Sequence, residues 1–213
     1  MKYSAVIVAA GVGQRMKLGF NKAYAKLSTG KTIIETTVEV FLQDPDCKQI
    51  VLVTDMEDPY SKQLSAQYGR LVVARGGATR QESVYSGLKG TLCDYVLIHD
   101  GARPYVSLEL IERIKMALET EKAALLAISS KDTVKRVKDG YVLETYPRSE
   151  LMLAQTPQGF ETDLILECYK KAKKEGYLAT DDASLVEHYS DVPVKIVEGS
   201  PSNFKITTPD DLR

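Results

Sequence analysis

Residues 6–16 read VIVAAGVGQRM, a short apolar run that ends in two alanines and a glycine-rich turn, Gly11-Val12-Gly13. Cations follow at Arg15, Lys17, Lys22 and Lys26. Glycines let backbone N–H groups approach phosphate oxygens, and an arginine can grip two such oxygens with parallel hydrogen bonds. A dinucleotide loop would need a third glycine where Met16 stands. A P-loop would need Gly-Lys-Ser/Thr four residues beyond a glycine, and that spacing does not occur. So dense a positive charge fits a triphosphate better than a dinucleotide. The plainer reading is a tight turn with surface cations.

Other groups with chemical potential lie further along. Gly76-Gly77-Ala78-Thr79-Arg80-Gln81-Glu82-Ser83 is a second glycine turn leading into a helix, where N–H donors and the Ser83 hydroxyl could meet a polar ligand. An ordinary helix entry would look the same. In His99-Asp100-Gly101-Ala102-Arg103-Pro104, Asp100 could hold a ribose hydroxyl or join a Mg²⁺ shell, or could simply pair with Arg103. Arg148 lies just after Pro147, in a loop with no obvious packing role for it. Gln155-Thr156-Pro157-Gln158 reads as turn chemistry, and Thr180-Asp181-Asp182-Ala183-Ser184 as a helix cap. Lys205 alternates with Phe204 and Ile206, as a solvated strand lysine would.

These groups need a scaffold. Continuous apolar runs at 3–9, 49–54, 70–74, 94–99 and 123–128 alternate with helical spacing at 32–43, 59–68, 80–88 and 107–119. That rhythm predicts an α/β fold: a Rossmann-like, mostly parallel sheet covered on both faces, with ligands at the carboxyl ends of its strands. The rhythm breaks after Ile128. Residues 133–137 and 141–145 flank Lys138-Asp139-Gly140 and read as a β-hairpin. A loop with Pro147 and Pro157 should follow. The stretch 132–158 is thus expected to be a β-arm within a single domain, 1–213. It has too few apolar positions for its own core, so a partner surface and a homodimer are expected. A helix at 163–175, a short helix from 180, strands at 194–197 and 204–207, and a helix start at Thr208-Pro209 complete the reading.

Bulk properties exclude several classes. The 213 residues suffice for one ordinary domain, 44% of them hydrophobic and 27% charged. With 28 basic and 29 acidic residues the net charge is −1, so no nucleic-acid partner is expected and any anion site must be local. Three scattered cysteines and two histidines argue against disulfides, zinc and Ser-His-Asp chemistry. No secretory pattern opens the chain and no apolar run reaches the ~18 residues of a membrane span, so a cytoplasmic protein is expected.

Together these blocks resemble one family, the 2-C-methyl-D-erythritol 4-phosphate cytidylyltransferases. The matching segments are AAGVGQRM with Lys22, GGATRQESV, HDGARP, DTVKRV, PRSELMLAQTPQGF, TDDASLVE and VEGSPSNFKITTPDDL, in family order from Ala9 to Leu212. The resemblance implies a β-arm exchanged in a homodimer, and CTP with Mg²⁺, held mainly through the CTP phosphates, at the glycine loop. No protein residue is assigned as a metal ligand. Ala9, Ala10, Gly11, Gly77 and Ser83 match base-binding positions, Gly13 and Arg80 belong to the same two loops, and Asp100 lies near ribose or metal. Arg15 and Lys22 match the pair that stabilises triphosphate charge. Lys205 and Arg148 match the pair that positions a sugar-alcohol phosphate, Arg148 across the dimer. Thr133, Thr156 and Thr180 match positions lining that pocket. Asn21-Lys22-Ala23 departs from the family's usual Pro-Lys-Gln, and the family's usual C-terminal helix would fall beyond Arg213. The rival readings are a ribitol 5-phosphate cytidylyltransferase, a sugar-1-phosphate enzyme using UTP or dTTP, and a non-catalytic nucleotide-binding module. An NAD-dependent dehydrogenase is disfavoured by Met16.

Overall fold

The computed structural model of the chain describes residues 1–11 and 21–212. The order is β1 (Tyr3–Val8), α1 (Ile33–Gln43), β2 (Cys47–Thr54), α2 (Pro59–Gln67), β3 (Leu71–Arg75), α3 (Arg80–Leu88), β4 (Tyr95–Asp100) and α4 (Leu108–Ala117). Then come β5 (Ala123–Ser129), β6 (Lys135–Lys138), β7 (Tyr141–Thr145), β8 (Met152–Glu161), α5 (Thr162–Glu175), α6 (Asp182–Tyr189) and β9 (Lys195–Glu198). Seven strands form one sheet in the order β3-β2-β1-β4-β8-β5-β9, with only β8 antiparallel to its neighbours. The mostly parallel sheet expected from sequence is present.

The strands are apolar throughout because both faces are covered. Along β1, Val6 packs into one core with Val84, Ile98 and Phe160, while Ile7 packs into the other with Ile34, Phe41 and Ile111. Local chemistry sets the helix ends. Thr32 and Glu35 form a reciprocal capping box on α1, and Asp58 caps α2 with Pro59 at its first position. Gly176 closes α5 at φ +69°, the left-handed region glycine tolerates.

The hairpin is present. β6 and β7 pair antiparallel in a separate two-stranded sheet, turning at Asp139 (φ 51°) and Gly140 (φ 84°). Two consecutive positive φ values match the twist of a tight hairpin. Every residue of both strands is exposed.

Two expectations fail. Pro157, read as part of a loop ending the arm, lies in β8 (Met152–Glu161), which runs between β4 and β5. Pro157 is tolerated because the ladder is broken around it. The β5 pairing skips from Ala154 to Gln158, and the β4 pairing reaches only to Gln158. Residues 204–207, read as a strand, join no sheet and are tied to the body by Ile206 N–H donating to the Ala102 carbonyl at 2.8 Å. Their alternation reports the burial of Ile206 alone.

Candidate active site

The sheet order 3-2-1-4 reverses direction between β1 and β4, and ligands in such sheets sit at the carboxyl ends of the strands at that switch. Loops continue there from β1, β3 and β4. Ala9 N–H donates to the Val53 carbonyl at 2.8 Å, Gly76 N–H to Thr54 at 2.9 Å, and Gly101 N–H to Val8 at 2.9 Å. Between them lies a cleft of about 690 Å³, large enough for a nucleotide.

Nine candidate residues line it: Ala9, Ala10, Gly11, Lys22, Gly77, Arg80, Ser83, Asp100 and Lys205. Gly13 and Arg15 lie outside the described residues. Thr133, Arg148, Thr156 and Thr180 are not on its wall. Thr133 and Arg148 flank the exposed arm, where Arg148 donates to the Lys131 carbonyl at 2.9 Å. Thr180 is exposed just before α6. Thr156 is buried behind the site.

The two glycine loops meet closely. A Cβ on Gly76 would stand 2.3 Å from Ala10 Cβ, and one on Gly77 would stand 2.4 Å from Glu82 Cβ. A side chain at Gly76 would push the two loops apart, and one at Gly77 would drive its own loop off Glu82 of α3. Ser83 braces this turn: its hydroxyl accepts from Gly77 N–H at 3.0 Å and donates to the Thr79 carbonyl at 2.9 Å. The hydroxyl proton read as a ligand donor is therefore spent on the loop.

Lys22 reaches the cleft on a 3₁₀ turn, residues Lys22–Tyr24, capped by Asn21. The Asn21 carboxamide accepts from Ala23 N–H at 3.0 Å and donates to the Ala9 carbonyl at 2.6 Å. The departure at Asn21 thus carries a structural role that spacing did not show. Asparagine bonds its own backbone two residues on, as in other short turns. Lys22 Nζ donates to the Ile206 carbonyl at 2.9 Å, joining the loop to the segment that carries Lys205.

Asp100 sits at the end of β4 in a field of cations. Its Oδ1 accepts from Arg80 Nε at 3.1 Å, its Oδ2 from Lys205 Nζ at 2.8 Å, and Arg103 Nε lies 3.7 Å away. Burial alone would raise its pKa; Arg80, then Lys205 and Arg103, outweigh this and hold the carboxyl well below the usual range. Lys205 is therefore engaged, not solvated. Sequence also missed Asp182, which is fully buried and holds the other end of Arg80 through bonds of 3.0 and 2.8 Å. It had read only as an acid in a helix first turn.

His99 is not catalytic machinery on this wall. It is fully buried against Phe41 and absent from the cleft lining. Thr156 Oγ accepts from Asp100 N–H at 3.0 Å and lies 3.1 Å from His99 Nδ1, to which it donates because the Arg103 carbonyl, only an acceptor, puts the imidazole proton on Nε2. That proton reaches the Arg103 carbonyl at 3.1 Å. This clamp fixes the loop that carries Asp100 and Arg103.

Among the described lining residues, Lys22, Arg80 and Lys205 face a single acid, Asp100. Such a local positive excess in a chain of net charge −1 favours an anionic ligand. No group of three or more His, Cys, Asp or Glu side chains among the described residues is placed to hold a metal.

The sequence profile of the family IspD, 2-C-methyl-D-erythritol 4-phosphate cytidylyltransferase, matches residues 3–213. The chain belongs to this family. It is similar to the 2-C-methyl-D-erythritol 4-phosphate cytidylyltransferase of Halalkalibacterium halodurans, 46% identical over 218 residues, covering 100% of this chain and 94% of the relative. The Bacillus velezensis protein of the same name is 45% identical over 219 residues, covering 100% and 93%. Among solved structures, 4-diphosphocytidyl-2C-methyl-D-erythritol synthase from Anaerococcus prevotii has a TM-score of 0.88 at 36% identity, covering 99% of this chain and 92% of that one. The Francisella tularensis cytidylyltransferase has a TM-score of 0.85 at 32% identity, covering 100% and 97%. The IspD match and the fold agree with the family read from the sequence.

Proposed function

We propose that this chain joins CTP to 2-C-methyl-D-erythritol 4-phosphate, releasing pyrophosphate and forming CDP-methylerythritol for isoprenoid synthesis. The observation that supports this most is the convergence of both glycine loops, Lys22, Asp100 and Lys205 on one cationic cleft, in a chain whose relatives carry that name. The cytosine lies between the Ala9-Ala10-Gly11 loop and Gly77, both on the cleft wall. Asp100 faces the ribose.

The sugar-phosphate oxygen attacks the α-phosphorus of CTP, one P–O bond forms, and the bond to pyrophosphate breaks. A phosphate monoester has its second pKa near 6 and is already a nucleophile at neutral pH, so the step needs no general base. Repulsion between two anions is the main barrier, and charge placement lowers it. Arg15 and Lys22 stabilise the triphosphate and the leaving pyrophosphate. Lys205, with Arg148 of a second copy, holds the attacking phosphate in line.

The cleft fits a Mg²⁺ ion bound mainly through CTP phosphates. Its one described carboxylate, Asp100, is enough for a metal that takes most ligands from substrate and water. When bound, the ion neutralises triphosphate charge.

The exposed hairpin carries Tyr141, Val142 and Leu143 into solvent, which supports a homodimer built through the arm. Anionic phosphorylated substrates support a cytoplasmic reaction, and the balanced charge of the chain favours a small-molecule substrate over nucleic acid. No described helix is long and apolar enough to cross a membrane. The experiment is pyrophosphate release with Mg²⁺, CTP and methylerythritol phosphate. Release that requires both substrates is expected; none, or release indifferent to the sugar phosphate, contradicts the reading. The ribitol 5-phosphate alternative is disfavoured by the names of the relatives.

A further inference from the structure

A buried carboxylate persists only when its charge is matched and its lone pairs are filled. Asp182, fully buried at the start of α6, meets both conditions. Its Oδ1 accepts from the Tyr169 hydroxyl of α5 and from Arg80 Nη1, and its Oδ2 from Arg80 Nη2. One N–H on each terminal nitrogen of the guanidinium is thereby engaged. Only the Nε edge of Arg80 reaches Asp100, at 3.1 Å. Asp100 keeps its other oxygen for Lys205. Charges alternate along this line from Asp182 through Arg80 and Asp100 to Lys205.

We propose that Asp182 and Tyr169 are positioning residues for cytidylyl transfer, acting through Arg80 to fix the Asp100 carboxylate against the nucleotide. The inference rests on the function proposed above. With Asp182 in place, both terminal nitrogens are turned toward it and Arg80 meets Asp100 through its Nε N–H. With that charge removed, the freed N–H groups turn to the nearest remaining anions, which are Asp100 and the CTP phosphates. Asp100 then swings from the ribose and gives up Lys205. Tyr169 sets the rotation of Asp182, because one carboxylate oxygen serves both the phenol and the arginine. The ring of Tyr169 is itself held, stacked on Tyr85 of α3 at 5.9 Å and 3° between planes. Helix α3 also carries Arg80, so the phenol and the guanidinium share one mount.

The test is steady-state kinetics with calorimetric CTP binding on the full chain. The variants are Asp182→Asn, Tyr169→Phe, Arg80→Gln and the double Asp182→Asn/Arg80→Gln. Asp182→Asn should raise KM and Kd for CTP about tenfold while kcat stays within about threefold. Tyr169→Phe, which removes one hydroxyl and keeps the packing, should move the same constants by about threefold. The double variant should bind CTP no more weakly than Arg80→Gln alone, because Asp182 acts through Arg80. Effects that multiply in the double variant overturn the proposal. So does CTP affinity unchanged in Tyr169→Phe, a result that still counts where Asp182→Asn fails to fold. Wild-type CTP binding without pyrophosphate release contradicts the transfer reading, and the affinities alone then decide this one. A wild type that binds no CTP overturns both.

Discussion

Lys205 Nζ lies 2.8 Å from Asp100 Oδ2, across 105 residues of sequence. The pair binds the extended segment after Asn203 to the end of β4, so Asp100 aims the cation that the proposed function assigns to the sugar phosphate. Replacing Lys205 by alanine should therefore raise KM for the sugar phosphate at least tenfold and KM for CTP less than about threefold. Equal rises for both substrates would count against the assignment.

Lys22 sits on a turn capped by Asn21, and the proposed function gives its charge the triphosphate to stabilise. Lys22→Ala and Arg15→Ala should each lower kcat at least ~10²-fold, corresponding to about 2.7 kcal/mol of transition-state stabilisation. Single-turnover measurement separates this from product release. Near-wild-type turnover in both variants would remove the charge role.

The arm exposes Val137 at 56%, Tyr141 at 77% and Val142 at 60% of their surface. The proposed homodimer makes these residues its contact surface. Sedimentation should give a dimer at micromolar protein, and Val142→Glu should shift it to monomer. In the same assay series, Arg148→Ala should raise KM for the sugar phosphate more than for CTP. A wild-type monomer with full activity would contradict the shared site.

Burial holds the His99 imidazole down to about 4, below the ~6.5 of the unfolded chain. As pH falls, the unfolded chain takes up the proton first. Stability should thus drop between about pH 6.5 and pH 4, by at most about 3 kcal/mol, and stay level above that window as far as His99 is concerned. Urea unfolding at pH 7 and pH 4.5 reads the difference. The loss should be smaller in His99→Gln; identical losses would show that His99 does not govern the slope.

The elements that position the site were legible where burial left a plain pattern. Residues 80–88 read as a helix and form one with Thr79 as its cap, and the continuous apolar runs became strands buried on both faces. Pro157 misled because a proline usually ends a strand, and only the pairing of β8 shows that the ladder skips it. Residues 204–207 misled because one-sided burial of Ile206 mimics a strand's period. The glycine loops were legible as loops of close approach, since few residues besides glycine permit it. The partnerships of Asp182 with Arg80, 102 residues apart, and of Asn21 with Ala9 were not. No local spacing encodes which distant carboxylate will neutralise a given arginine.

The most direct test follows the α-phosphorus itself. Phosphorus NMR of CTP and Mg²⁺ with the enzyme, in parallel with methylerythritol 4-phosphate and with ribitol 5-phosphate, shows whether a new diphosphate diester forms. The account predicts that diester and stoichiometric pyrophosphate with methylerythritol phosphate alone. Diester formation only with ribitol phosphate, or CTP unchanged with both, would contradict it.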